Sequence, residues 1–136
     1  MKTTFVLPPP LLQAFLHFSK GSKIGNTLHT RIRLDRSYLN LHRFTIGHAD
    51  TPECICHAKQ ESSKHYILEC FLYSAERQTL FNLAEHYIPS FDKMNKNQKY
   101  ELLMNGIKND NPDYNYLNTT IAIAVQKKIL ATKRFS

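Results

Sequence analysis

Apolar residues recur along this chain mostly at helical spacing, and Pro, Gly and Ser mark the breaks between the periodic stretches. After three consecutive prolines, Leu11, Leu12, Phe15 and Leu16 form the stripe of a short amphipathic helix that Pro10 can start, and "KGSKIGN" ends it. From Ile24 the apolar positions fall at 24, 28 and 32, then at 38, 41 and 44, before Gly47 closes the stretch. That pattern predicts two short helices, with Arg31, Arg33, Arg36 and Arg43 pointing away from the buried side. "ADTPE" reads as a turn, after which Ser62 or Ser63 can cap a short helix through His65, because a serine hydroxyl satisfies free N–H groups at a helix start.

"SAERQTLFNLAEHYIP" predicts a longer helix with Ser74 as its cap, Leu80, Phe81, Ala84, Tyr87 and Ile88 as its core face, and Pro89 as its stop. "NQKYELLMNG" predicts a shorter one ending at Gly106. Leu117, Ile121, Val125 and Ile129 stand four apart and predict a final helix, although the β-branched residues there would also suit a strand. The expected class is therefore mainly α. The expected organisation is an N-terminal extension with a short helix over residues 1–23, then one small helical domain over residues 24–136.

Composition narrows the picture. A chain of 136 residues with 42% hydrophobic content supports one modest core rather than disorder. The net charge of +7 is uneven: residues 1–57 carry +4, residues 58–125 carry −1 and residues 126–136 carry +4, which favours a polyanionic partner. No run approaches the roughly 20 apolar residues of a membrane span. The three prolines interrupt the apolar stretch after Lys2 that a secretory leader would need, so an intracellular protein of the nucleus or cytoplasm, away from membranes, is expected. Outside that setting the glycosylation-type triplet Asn118-Thr119-Thr120 carries no meaning.

Catalysis finds no support in the motifs. Four glycines form no phosphate-binding loop, no nucleophile stands in a motif beside a base, and no acidic residue follows Asp113 to complete a carboxylate pair for a catalytic metal. The expectation is a protein that is not an enzyme.

One constellation does carry chemistry. "CICHAKQESSKHYILEC" holds all three cysteines in the spacing Cys54-x-Cys56-x8-His65-x4-Cys70. An odd number of cysteines cannot close a disulfide framework, whereas three thiolates and one imidazole are a known structural zinc set. The competing reading is three buried thiols and a surface histidine, and His57 competes with Cys56 as second ligand. On an unbroken α-helix, His65 and Cys70 would diverge by about 140°, so a shared ion requires the helix to end or bend near Glu69. Four such ligands leave no open position, which makes the site structural rather than catalytic. Three thiolates with one divalent ion sum to −1, and Lys59 and Lys64 are candidates both to balance that charge and to contact phosphate.

Residues 28–81, "LHTRIRLDRSYLNLHRFTIGHADTPECICHAKQESSKHYILECFLYSAERQTLF", resemble the segment that follows the polymerase domain in reverse transcriptases of non-LTR (LINE-like) retrotransposons. An Arg- and Leu-rich helical stretch leads through a turn into the Cys-x-Cys, His, Cys cluster and an "ERQTLF"-like helix, and the likeness extends over about residues 20 to 136. The resemblance implies a CCHC zinc-knuckle-like insertion in which Cys54, Cys56, His65 and Cys70 bind structural Zn²⁺. It also implies that Arg31, Arg33, Arg36 and Arg43 approach the phosphates of RNA or DNA, and that the polymerase domain of the parent polyprotein is a second partner. Many members of the family have Gly after the second cysteine, where this chain has His57. No Tyr-x-Asp-Asp sequence occurs, so the polymerase activity of such a parent is not expected here. The alternative expectation is a protein-interaction or inert structural remnant of a degraded transposable element.

Overall fold

A computed structural model describes residues 23–108 and 111–135. The expected extension and its Pro10-initiated helix lie, up to residue 22, outside the described residues. Five α-helices follow: α1 (Lys23–Arg33), α2 (Asn40–Thr45), α3 (Ser74–Tyr87), α4 (Lys96–Asn105) and α5 (Tyr114–Thr132). Short turns of other pitch, His65–Glu69, Phe71–Tyr73 and Phe91–Lys93, join them, and no strand occurs among the described residues.

The last helix organises the rest. α5 packs against α3, α1 and α4, and its Leu117, Ile121, Val125 and Ile129 are all buried. The weak helix propensity of its β-branched residues is outweighed by burial, because most helical stability in a folded protein comes from packing an apolar face. Around this axis gather Ile32 of α1, Leu80, Ala84 and Ile88 from the α3 segment, Phe91, and Leu102, Leu103 and Met104 of α4. Phe81 and Tyr87, expected in the same face as Leu80 and Ala84, sit half-buried at its margin.

Helix ends follow local chemistry in two cases and depart from it in one. Asn95 caps α4 by accepting from the Gln98 amide at 2.8 Å, while the Gln98 side chain accepts from the Asn95 amide at 3.0 Å. Gly106 ends α4 with φ +74°, and a Cβ there would stand 2.8 Å from the Asn118 side chain, so only glycine fits. That same Asn118 bonds both the amide and the carbonyl of Ile107, at 2.7 and 3.0 Å, and so pins the α4–α5 connection to α5. Ser74 is not the cap of α3. It is the first helical residue, and its hydroxyl donates to the Phe71 carbonyl at 2.7 Å, because the preceding turn presents that carbonyl to it.

Two basic side chains enter the core with partners. His29 of α1 hydrogen-bonds the Leu103 carbonyl at 3.1 Å, and burial, aided by nearby Arg33, lowers its pKa to about 4, so it stays neutral. Lys128 of α5 is 3% exposed, donates to the Tyr66 carbonyl at 3.2 Å and lies 4.5 Å from the centre of the Tyr66 ring. No helix among the described residues is long and apolar enough to cross a membrane.

Burial, and then the charge of Arg77, bring the Lys128 pKa from 10.5 down to about 7. Between those values the unfolded chain binds a proton that the folded chain does not, so this group makes stability rise as pH climbs from about 7 to 10.5. Lys128→Met is accordingly expected to exceed the natural chain in stability near pH 6 by a few kcal/mol, on the order of the linkage term. The advantage should shrink toward pH 10 in paired denaturant titrations. An advantage that does not change with pH would contradict the assignment.

Candidate metal centre

The cluster is built from two short pieces of chain. In the first, the His57 amide donates to the Cys54 carbonyl at 2.9 Å and the Cys54 amide to the Ala58 carbonyl at 3.0 Å, a tight turn that brings both cysteines of Cys54-x-Cys56 into the cluster. The turn requires left-handed backbone at His57, with φ +75°, a conformation that costs a residue with a Cβ about 1 kcal/mol. His57 thus stands at a position where glycine is favoured for a physical reason. The Glu61 amide then donates to the Pro52 carbonyl at 2.7 Å and closes the loop at its base.

The second piece begins at Ser62, whose hydroxyl accepts from the His65 amide at 3.1 Å, the capping role that the sequence leaves open between Ser62 and Ser63. Ser63 instead donates to the Asp35 carboxylate at 2.6 Å. From His65 the chain makes a single π turn to Glu69, with the Cys70 amide bonding the His65 carbonyl at 2.8 Å, and Cys70 itself is extended. A π turn takes up one residue more than an α turn. Residues five apart therefore come nearly into line, which removes the divergence an α-helix would impose on His65 and Cys70.

The result is a gathered set of donors. The Sγ atoms of Cys54, Cys56 and Cys70 and one imidazole nitrogen of His65 lie within 4.8 Å of one another, close enough to hold a metal ion. Cys54 Sγ is 3.8 Å from Cys70 Sγ, and Cys56 Sγ is 3.2 Å from His65 Nε2. Cys54 and Cys70 are buried, while Cys56 and His65 form the half-buried outer side. His57 does not take part: its side chain is 89% exposed and its Nδ1 lies 3.8 Å from Glu53 Oε1, so Cys56 is the second donor of the set.

The protonation states separate the donors. Burial pushes the Cys54 thiol up to about 12 and raises Cys70 as well. At Cys56 burial also acts upward, but hydrogen bonds involving the Ala58 backbone and the thiols of Cys54 and Cys70 outweigh it and bring the thiol down. Burial lowers His65, which keeps its imidazole neutral and ready to donate a lone pair. Cys56 is thus the donor most prepared as thiolate, and an ion that binds all four must displace protons from the buried pair.

Charge balance comes from a residue the spacing does not reveal. Arg77 of α3 donates to the carbonyls of Cys70 and, at 3.3 Å, of Ile67, and its charge acts on Cys70. Lys59 is exposed, and Lys64 is engaged with the Asn97 side chain. No sequence signal marks Arg77, since it stands seven positions beyond the last cysteine, across a turn and the start of a helix. Glu61, seven residues beyond Cys54, has one carboxylate oxygen 4.0 Å from the Cys54 sulfur and supports the site from outside the donor set.

The arginines expected at phosphate are not equivalent. Arg31 and Arg36 are exposed. Contrary to the expectation that all four point away from the packed side, Arg33 Nε donates to the Met104 carbonyl at 2.7 Å, because that carbonyl lies near the α4 C-terminus, where it lacks a helical partner. Arg43 is half-buried and donates to Asn40 Oδ1 at 3.3 Å and to the His48 carbonyl at 3.2 Å. No protein-family model matches the chain, and comparisons with curated proteins and with solved structures find no match.

Two substitutions separate the histidines. His57→Gly should keep one metal ion per chain after refolding with zinc and should gain about 1 kcal/mol by relieving the left-handed backbone. His65→Ala should lose stoichiometric metal. Native mass spectrometry reads both, and metal retained by the His65 variant but lost by the His57 variant would reverse the assignment.

Proposed function

We propose that this chain is a zinc-stabilised helical module that binds nucleic acid, with the metal as scaffold and the basic surface as the contact. The carrying observation is the donor set: three thiols and one imidazole meet, and among the described residues no fifth donor and no catalytic carboxylate joins them. For tetrahedral zinc, bond lengths of about 2.3 Å to sulfur and 2.0 Å to nitrogen imply S···S edges of about 3.8 Å and S···N edges of about 3.5 Å. The Cys54–Cys70 separation of 3.8 Å fits the first value, and the Cys56–His65 contact of 3.2 Å lies slightly inside the second. Soft thiolates also favour zinc over hard cations such as magnesium or calcium. With every position taken by protein, such a zinc supplies folding energy and leaves no place for substrate.

The net charge of +7 supports a polyanionic ligand, and the resemblance to the tail of LINE-like reverse transcriptases supports RNA or DNA as that ligand. In this reading the module has no polymerase activity and works beside a polymerase domain inside the cell. A second reading, protein interaction alone, draws on an apolar groove of about 310 Å³ between α3 and α5, lined by Leu80, Leu83, Ile123 and Ala124. Ile55, Phe71 and Leu72, next to the cysteines, are also exposed.

The tests are direct. The reduced 136-residue chain should carry one zinc, and chelation should unfold it cooperatively. Fluorescence anisotropy with a labelled single-stranded RNA should show affinity that falls roughly 20-fold between 50 and 200 mM salt if about three phosphates are neutralised. Zinc-loaded protein that ignores RNA and single-stranded DNA at low salt would leave the interaction reading in its place.

A further inference from the structure

Arg31 and Arg43 come together in an open pocket of about 450 Å³ between α1, the segment before α2 and the C-terminal residues. Leu28, Ser37, Tyr38, Arg134 and Phe135 complete its lining. Among the described residues no carboxylate lines it. Arg43 spends its hydrogen bonds on neutral acceptors, Asn40 and the His48 carbonyl, so its charge is not cancelled. The Arg31 side chain is exposed and has no hydrogen-bond or ion-pair partner among the described residues. Arg134 alone is paired, with Glu61 beneath it, so the pocket retains two uncompensated guanidinium groups.

Two further observations mark this as a built site rather than a chance gathering of charge. Ser37 is 4% exposed, and its hydroxyl has no hydrogen-bond partner among the described residues, a costly arrangement that a ligand oxygen would complete. The backbone beside it is also held in a costly conformation: Asp35 and Tyr38 both have left-handed φ, at +55° and +71°. That conformation leaves Tyr38 47% exposed, with its hydroxyl bonded to His48 and with Arg43 5.6 Å from its ring centre.

Guanidinium forks and a hydroxyl donor match phosphate oxygens, and an exposed aromatic ring beside them matches an unstacked base. We infer that this pocket binds one phosphate of a single-stranded nucleic acid, with Arg31, Arg43 and Ser37 on the phosphate and Tyr38 under the neighbouring base. The inference rests on the nucleic-acid reading above and names the surface that performs it. A free phosphate would satisfy the same donors without using Tyr38.

The test compares two variants that change charge equally. Zinc-loaded Arg31→Glu and Arg36→Glu both replace an exposed arginine, but only the first lies in the pocket. With a labelled dodecauridylate, Arg31→Glu should weaken binding at least tenfold and Arg36→Glu less than about threefold, while Arg31→Lys should recover part of the loss. Unchanged thermal unfolding shows that each variant folds. Equal losses in the two glutamate variants would overturn the pocket and leave nucleic-acid binding by diffuse charge intact. A natural chain that does not bind the oligonucleotide would overturn both. Amide shifts measured by NMR with inorganic phosphate distinguish the sources: shifts at Ser37 and Arg31 as strong as those with the oligonucleotide at equal phosphate concentration would make free phosphate the ligand and overturn the strand assignment.

Discussion

A single buried carboxylate ties the molecule together. Glu61 is 2% exposed, and its side chain accepts from Arg134 at 2.7 and 2.9 Å and from the Asn40 amide at 2.8 Å. Its backbone takes part as well, receiving the Leu41 amide at 3.2 Å and donating to Pro52 at 2.7 Å. One residue therefore fastens the loop that carries Cys54 and Cys56, the start of α2 and the end of the chain beyond α5. A buried ion pair is stable only when its remaining hydrogen-bonding capacity is filled, and removing one partner typically costs about 3–5 kcal/mol because the other charge is left stranded. Here the capacity is filled from three directions, and the pair raises the pKa of Arg134 accordingly.

The π turn is held with the same economy of residues. Tyr66, one position after His65, is fully buried; its carbonyl receives Lys128, and its hydroxyl bonds Thr132. Tyr73 and Phe135 meet its ring edge-on, with centroids 5.2 and 5.6 Å away. His65 and Cys70 are thus positioned from α5 through Tyr66, while Cys54 is positioned from the chain terminus through Glu61. A metal held by all four donors would cross-link these two anchored pieces.

The parts of this arrangement that the sequence discloses are those set by local periodicity. Leu117, Ile121, Val125 and Ile129 announced a helix face that is buried throughout, and Gly106 announced the end of α4. The five-residue step from His65 to Cys70 even required a break near Glu69, which the chain meets with a π turn. What stayed hidden depends on partners far along the chain. Glu61 and Arg134 are 73 residues apart, and neither stands in a motif that would single it out. The arginines show the same limit: Arg31, Arg33 and Arg36 look alike in sequence, yet Arg33 satisfies a helix-terminal carbonyl while Arg31 reaches an open pocket. Ser74 looked like a cap by residue type, and the geometry of the preceding turn gave its hydroxyl a different acceptor.

These connections bear on how a closed metal site can matter to a function it does not perform. If the zinc has no open position, its influence on ligand binding must pass through structure. The route is short: Cys54 Sγ lies 4.0 Å from the Glu61 carboxylate, Glu61 holds Arg134, and Arg134 lines the pocket that also contains Arg31, Ser37 and Arg43. If an ion is bound there, its loss would free the Cys54 loop, and with it the partner that keeps Arg134 compensated and in place. The expected coupling is therefore reciprocal, since an effect of metal on anion affinity must equal the effect of the anion on metal affinity. A metal held by these four residues would therefore act on the proposed anion site through this chain of contacts, not through chemistry on the ligand, by setting how well Arg134 and the pocket it lines are organised.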